Sequence, residues 1–206
     1  MRESMIVSQL RPSGVSDSRL LSALRLVARE NFVPVERRAA AYIDRAVPIT
    51  PGRAINPPLT TALLLNAAAI GPGDRVLIVG SATGYAAAVA SAMSSSVFAI
   101  DADAALVETA RAAVTGVTFA FGALAAGLAA HASYDAIVVD GAIEAVPDAL
   151  IAQLTPEGRL CCAILVRGLA RLAIGRRGGA GFALAEFADS EAVTLPGFAL
   201  AKEFVF

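Results

Sequence analysis

The stretch Val76–Tyr85, V-L-I-V-G-S-A-T-G-Y, constrains this chain more than any other. An apolar run with no polar break, Val76 to Val79, suits a strand buried on both faces, as in a parallel sheet covered by helices. Gly80 and Gly84 follow it, and glycine permits a tight turn and a close backbone approach to a ligand. Tyr85–Met93 is rich in helix formers. Strand, glycine turn and helix make the first unit of a nucleotide-binding α/β fold. Val97-Phe98-Ala99-Ile100 reads as the next strand, ended by Asp101. An acid about twenty residues after the first glycine is where such folds accept hydrogen bonds from ribose hydroxyls. The loop is G-S-A-T-G rather than G-x-G-x-x-G, which argues against a nicotinamide dinucleotide.

Composition narrows the classes. The 206 residues suffice for one domain with a real core. A net charge of −1 with 17% charged residues shows none of the basic excess expected of a nucleic-acid partner. Mean hydropathy is high, +0.65, yet no apolar run reaches the roughly 18 residues that span a bilayer. Leu59–Ile70 comes nearest, and Asn66 interrupts it, so membrane insertion is not expected. Arg2 and Glu3 open a mixed N-terminal stretch without a signal-peptide pattern, and a cytoplasmic location is the expectation. High apolar content with few charges suggests a shared surface and a tendency to form a homodimer. Cys161 and Cys162 are adjacent and would point to opposite faces of a strand, as small apolar residues rather than a disulfide or a metal site. His131, the sole histidine, reads as an exposed residue; a Ser-His-Asp device built on it is the alternative.

Residues 5–12 and 17–28 have helical character, with Asp17 placed to cap the second helix. Leu20, Leu21, Leu24 and Val27 give that helix one apolar face. Glu30–Pro58 holds five prolines among short apolar pieces and predicts an irregular arm with little regular structure, the kind of segment that often carries function. A helix over 58–70 follows, with proline suited to its first turn. Beyond Asp101 the pattern predicts a helix from an Asp103 cap to Val114, strands at Val117–Phe121 and Tyr134–Asp140, a helix at Pro147–Leu154 and a strand at Arg159–Val166. Leu169–Gly175 and Phe182–Phe187 read as a hairpin, and Phe204–Phe206 as an edge strand. Alternating strands and helices ending in a run of strands imply a mostly parallel sheet with an antiparallel edge. A helix directly after the short glycine loop suits S-adenosylmethionine better than a dinucleotide.

These motifs together resemble the protein-L-isoaspartate O-methyltransferase family along nearly the whole chain. Gln9-Leu10-Arg11 with Gly14-Val15, Val27-Ala28-Arg29-Glu30-Asn31-Phe32-Val33-Pro34, Ala41-Tyr42-Ile43-Asp44 and Pro48-Ile49 come in the family's order. So do Gly80…Gly84-Tyr85, Tyr134-Asp135-Ala136-Ile137 and Pro147…Gln153-Leu154…Gly158-Arg159-Leu160. The resemblance implies a Rossmann-like S-adenosylmethionine-dependent methyltransferase fold in a single domain over 1–206. Residues 1–58 would form an N-terminal helical and irregular extension with the substrate-side arm, and 59–206 the core with its C-terminal hairpin. It implies methyl transfer from S-adenosylmethionine to the carboxylate of isoaspartyl residues in damaged proteins. Carried onto this chain, the cofactor-binding positions are Ile55, Pro58, Gly80, Ser81, Ala82, Gly84, Tyr85, Asp101, Ala102, Gly122 and Ala123, and the catalytic position is Asn56.

The chain departs from the family pattern at ligand-facing positions. Ile78 stands where the family has an acid, and Ala82 where it has the loop's middle glycine. Gly122-Ala123-Leu124 replaces Gly-Asp-Gly, and Gly52-Arg53-Ala54-Ile55-Asn56-Pro57-Pro58 replaces Gly-Gln-Thr-Ile-Ser-Gln-Pro. Each buried hydrogen bond lost in this way costs roughly 1–3 kcal/mol. Two readings follow: a working, divergent methyltransferase, or a degenerate member that binds the cofactor weakly or not at all and serves as a scaffold or ligand sensor.

Overall fold

A computed structural model describes residues 1–178 and 181–199. The strand expected at Phe204–Phe206 lies outside the described residues. The chain opens with a short helix, α1 (Arg2–Met5), continued by a π-type turn over Ile6–Leu10. The helical stretch expected over 5–12 therefore begins earlier and ends sooner. Helix α2 (Ser18–Leu26) starts where Asp17 accepts from the N–H groups of Arg19 and Leu20, so two free donors of its first turn are satisfied. Leu20, Leu21, Ala23 and Leu24 form its buried face.

The arm is more regular than expected. Two 3-10 turns, Arg29–Phe32 and Val35–Ala40, precede an antiparallel pair, β1 (Val47–Thr50) and β2 (Arg53–Ile55). Proline suppresses helix here, but Pro48 sits in a two-stranded ribbon, where a missing donor is tolerated. Helix α3 (Pro58–Ala68) has proline in its first turn and ends on Ala69 in the left-handed region.

The core is a seven-stranded sheet of β3 (Arg75–Val79), β4 (Ser96–Asp101), β5 (Val117–Phe121), β6 (Tyr134–Ile143), β7 (Leu154–Val166), β8 (Leu169–Gly178) and β9 (Gly181–Asp189). The spatial order is β5-β4-β3-β6-β7-β8-β9. The first five strands in that order are parallel, and β8 and β9 add antiparallel partners at the β7 edge. Helices α4 (Tyr85–Ser91), α5 (Ala104–Ala113, capped by Asp103) and α6 (Asp148–Ala152) link the parallel strands. The helix expected at Pro147–Leu154 is shorter because Leu154 already pairs with Tyr134 as β7 begins.

The sheet separates two apolar layers. Val76 and Ile78 face one with α2–α5, while Leu77 and Val79 face the other with Leu150, Leu195 and Phe198. Alternation along β7 puts Cys161 in the first layer and Cys162 in the second; burial pushes both thiols up to about 12. His131 is exposed and stacks on Phe98, with ring centroids 4.8 Å apart. Among the described residues no helix is long and apolar enough to cross a membrane.

After β3 the chain moves to β4 and β5 on one side, then returns to lay β6 on the other. The carboxyl ends of β3 and β6 therefore flank the topological switch point, where open α/β sheets bind ligands.

Arg159 on β7 ties the opposite end of this frame. Its guanidinium donates to the carbonyls of Ala68, Ala69 (2.9 Å) and Asp135 (3.0 Å) and to the Asp74 carboxylate. Burial alone would raise the Asp74 carboxyl, but the Gly71 N–H and the Arg159 guanidinium outweigh it and hold it below its usual value. A lysine ammonium cannot serve four acceptors spread around a planar fork. Arg159→Lys should lose about 1.5–3 kcal/mol in urea unfolding. A depressed carboxyl contributes stability above its unfolded value, near 3.9 for Asp, and loses it as pH falls through the folded value. The difference between the two proteins should therefore shrink in acid, below about pH 4.

Candidate active site at the carboxyl ends of β3, β4 and β6

The loop after β3 places three groups. Gly80 has φ +79°, and a Cβ there would stand 2.8 Å from a methyl of Leu195. Gly84 caps α4 with φ +98°, and its missing side chain admits Ala110 and Val114 of α5. Glycine at 84 thus serves the seam between α4 and α5. Ala82 adopts φ +49° although it is not glycine, and its methyl is buried in the helix-side layer. Ser81 is buried and its hydroxyl has no hydrogen-bond partner.

Asp101 ends β4 directly beside this loop and is wholly buried. Its Oδ2 accepts from the Ala82 N–H at 2.7 Å and its Oδ1 from the Asp103 N–H at 3.0 Å. Arg53 on β2 completes the set: Nη1 donates to Oδ1 at 2.6 Å and Nη2 to Oδ2 at 2.7 Å. This is a bidentate fork, the strongest form of the Arg–carboxylate pair. Each carboxylate oxygen then has two donors, and its acceptor capacity is filled.

Asn56 lies on the other side of β3. Its Nδ2 donates to Asp140 Oδ1 at 2.8 Å, and its Oδ1 accepts from the Val193 N–H at 2.8 Å. Thr61 donates its hydroxyl to the same Asp140 oxygen at 2.9 Å. Burial pushes the Asp140 carboxyl up, against the pull of the Asn56 amide, the Thr61 hydroxyl and the charge of Arg29. Arg29 is itself fully buried; its Nε donates to Ala41 O at 2.7 Å and its Nη2 to Asn56 O. Its guanidinium lies 4.7 Å above the Tyr85 ring, and burial pushes the Tyr85 hydroxyl up to about 12. Phe32 meets the same ring edge-on, and its carbonyl accepts from the Thr83 hydroxyl at 2.6 Å. The segment 27–34 therefore serves as the bracket between the glycine loop and the arm.

The structure brings Asn56, Gly80, Ser81, Ala82 and Asp101 to one rim, all buried. Ile55 and Pro58 flank Asn56 and are buried, and Tyr85 is buried beneath Arg29. Ala102 and Ala123 are exposed beyond the ends of β4 and β5, with Gly122 half-buried and its N–H donating to Asp101 O at 3.0 Å. Ile78 is fully enclosed in the helix-side layer. Leu124 is packed with Ile100 and Leu150 in the other layer.

Reading the sequence did not single out Arg53, Asp140, Thr61 or Leu195 as site residues. Asp140 had a usable signal, since it ends an apolar strand just as Asp101 does. Arg53 and Leu195 had none, because both arrive from segments remote in sequence. The 193–195 stretch docks on the end of β6, with Ala142 N to Val193 O at 2.7 Å and Leu195 N to Ala142 O at 2.9 Å.

Comparison with known proteins agrees with this geometry. The family model Protein-L-isoaspartate(D-aspartate) O-methyltransferase matches residues 1–182. A protein-L-isoaspartate O-methyltransferase of Methylorubrum populi is 45% identical over 163 residues, 77% of each chain. One from Koribacter versatilis is 39% identical over 164 residues, covering 77% of this chain and 74% of the relative. Among solved structures, a protein-L-isoaspartate O-methyltransferase superposes with a TM-score of 0.81 at 23% identity, over 96% of this chain and 67% of the other. A beta-aspartate methyltransferase structure from Plasmodium falciparum, in complex with S-adenosyl-L-homocysteine, gives 0.79 at 20% identity, over 95% and 98%. At those identities the superpositions show the fold alone.

The left-handed backbone at Ala82 generates a prediction. An L-residue there costs about 1–2 kcal/mol, partly offset by the greater unfolded-state freedom of glycine. Ala82→Gly should raise stability by about 0.5–1 kcal/mol, a Tm increase of roughly 1–4 °C by calorimetry.

Proposed function

This chain belongs to the protein-L-isoaspartate(D-aspartate) O-methyltransferase family, and from that premise we propose that it methylates the free carboxylate of isoaspartyl residues in proteins, with S-adenosylmethionine as the donor. The observation that carries this reading is Asp101, a buried carboxylate at the end of the second core strand that already receives two parallel donors from one planar group. The two vicinal hydroxyls of a ribose present the same pattern, so the guanidinium stands in for a diol and the residue fits the cofactor.

S-adenosylmethionine, when bound, supplies an electrophilic methyl group on sulfur. The rest falls to this chain's own residues. We assign Asp101 and Ala102 to the ribose and its edge, Gly122 and Ala123 to the base, and Gly80, Ser81 and Ala82 to the methionine end. The unpartnered Ser81 hydroxyl is a donor ready for that end. Gly84 and Tyr85 shape the loop, and Ile55 and Pro58 wall the arm. Asn56 stands on the substrate side, held by Asp140 and the Val193 N–H.

The accepting carboxylate is already ionised at neutral pH, so its attack needs no general base. Orientation and exclusion of water are what the site must provide, and orientation is worth several kcal/mol. The lost family contacts at Ile78, Ala82, Ala123 and Asn56 should compound if they act independently. Slow turnover is therefore expected, well below that of relatives with the full motif set.

The test is transfer of radiolabelled methyl to an isoaspartyl peptide, with the aspartyl peptide as control. Slow transfer confined to the isoaspartyl peptide is expected; no transfer above the control would overturn the reading. Asp101→Ala should weaken S-adenosylhomocysteine binding by about tenfold or more in calorimetry, the scale of a lost charged hydrogen-bond pair.

A further inference from the structure

We propose that Arg53 works in two positions: paired with Asp101 it closes the ribose site of the cofactor-free chain, and once that site is taken by a ribose it binds the carboxylate of the substrate. The inference rests on the methyltransferase reading above and adds a residue to it.

The first half follows from valence. Asp101 has about four acceptor sites. The Ala82 and Asp103 N–H groups use two, and these set the glycine loop and the start of α5. Arg53 uses the other two. Ribose hydroxyls and the guanidinium therefore cannot both be held, and Arg53 must leave before a ribose is seated.

Its departure is sterically cheap. Arg53 begins β2 directly after Gly52, a turn residue with φ +75°, and β2 pairs only with β1. The side chain can swing while the arm stays anchored at Ile55 and Asn56. The pair is also imperfect: the Arg53 Nε is buried without a hydrogen-bond partner. An orphaned buried donor costs free energy, and a second position would relieve it.

The second half follows from charge. A substrate carboxylate arriving beside Asn56 meets Asp140, an acid at the end of β6. Burial of like charges side by side is unfavourable without a cation. Arg29 is already committed to Ala41 O and Asn56 O from a fully buried position. Arg53 is three residues from Asn56 on the same arm. Asp101 and Asp140 end strands on either side of β3, about 10 Å apart at two strand spacings, within the compass of one long side chain that starts between them. A released guanidinium also keeps its fork, which matches a carboxylate bidentately. Cofactor would then bind before substrate, because the cation is available only after Asp101 has been given up.

The experiment is calorimetric titration of the full chain with S-adenosylhomocysteine, beside steady-state methylation of an isoaspartyl peptide at saturating cofactor. Removing the internal competitor should tighten the dissociation constant, since apparent affinity scales with the competent fraction. Arg53→Gln, which loses the charge, is expected to bind S-adenosylhomocysteine about tenfold tighter. Its KM for the peptide should rise by a similar factor with kcat little changed. Arg53→Lys should also bind the cofactor more tightly than the unaltered chain, with a KM between the two. Unchanged or weaker cofactor binding in variants that melt cooperatively would overturn the proposal and leave Arg53 as a clamp on the arm. Tighter binding with an unchanged KM would overturn the substrate half.

The unaltered protein provides a second readout. S-adenosylhomocysteine should increase the modification of Arg53 by phenylglyoxal, followed by mass spectrometry of its peptide; protection instead would overturn the exchange. If no peptide is methylated yet Arg53→Gln tightens cofactor binding, the proposed function fails while the competition at Asp101 stands.

Discussion

A carboxylate with no access to water must be surrounded by donors or lose its charge, and in this chain that demand is concentrated on Asp101. Three separate segments answer it. The glycine loop sends the Ala82 N–H, the start of α5 sends the Asp103 N–H, and the arm sends the Arg53 guanidinium. Loop, helix and arm are thereby fixed relative to the end of β4. Breaking a buried pair of this kind by removing one partner typically costs 3–5 kcal/mol, since the remaining charge is stranded. The interaction that organises the rim is thus the same one that a ribose would have to replace.

The far side of the rim is organised by packing. Gly80 and Gly141 have no side chains, and Leu195 fills the space their Cβ atoms would take, at 2.8 and 2.5 Å. The stretch that carries Leu195 is strapped to β6 through Ala142. Glycine at the switch point can admit a ligand or a side chain, and here a leucine uses it. Arg53 and Leu195 therefore occupy the two sides of the crevice from within the molecule. This agrees with the slow turnover expected of the enzyme, because both must give way during the catalytic cycle.

The buried acids divide the work in two. Asp101 meets a bidentate cation, whereas Asp140 meets neutral donors, Asn56 and Thr61, with Arg29 as the nearby charge. Burial dominates at Asp140 and raises its carboxyl. Arg29 suffers the converse: burial lowers its guanidinium, and the nearby Tyr85, Asp140 and Tyr42 oppose that. Arg29 and Phe32 belong to the segment 27–34 that makes the sequence recognisable, and their contacts supply a physical reason for it. They clamp the arm carbonyl of Asn56 and the aromatic face of Tyr85 in one place.

Much of this was legible without coordinates. Apolar runs of four or five residues ending in glycine or aspartate determined the parallel strands and their order along the chain. Asp17 and Asp103 determined where two helices begin, because a short acceptor satisfies free N–H groups wherever it sits. The glycine loop and Asp101 determined the kind of ligand, since their spacing belongs to one local unit. The hairpin β1–β2 was not legible: prolines in the arm hid a ribbon whose pairing depends on tertiary support. Nor were the occupants of the crevice. Arg53 lies 48 residues from Asp101 and Asn56 lies 84 from Asp140, so nothing local records either contact. Sequence alone determined which residues could bind a ribose. Only the tertiary structure decided that a guanidinium of the chain's own holds that place, because valence at a carboxylate is settled by whichever donors folding brings within reach.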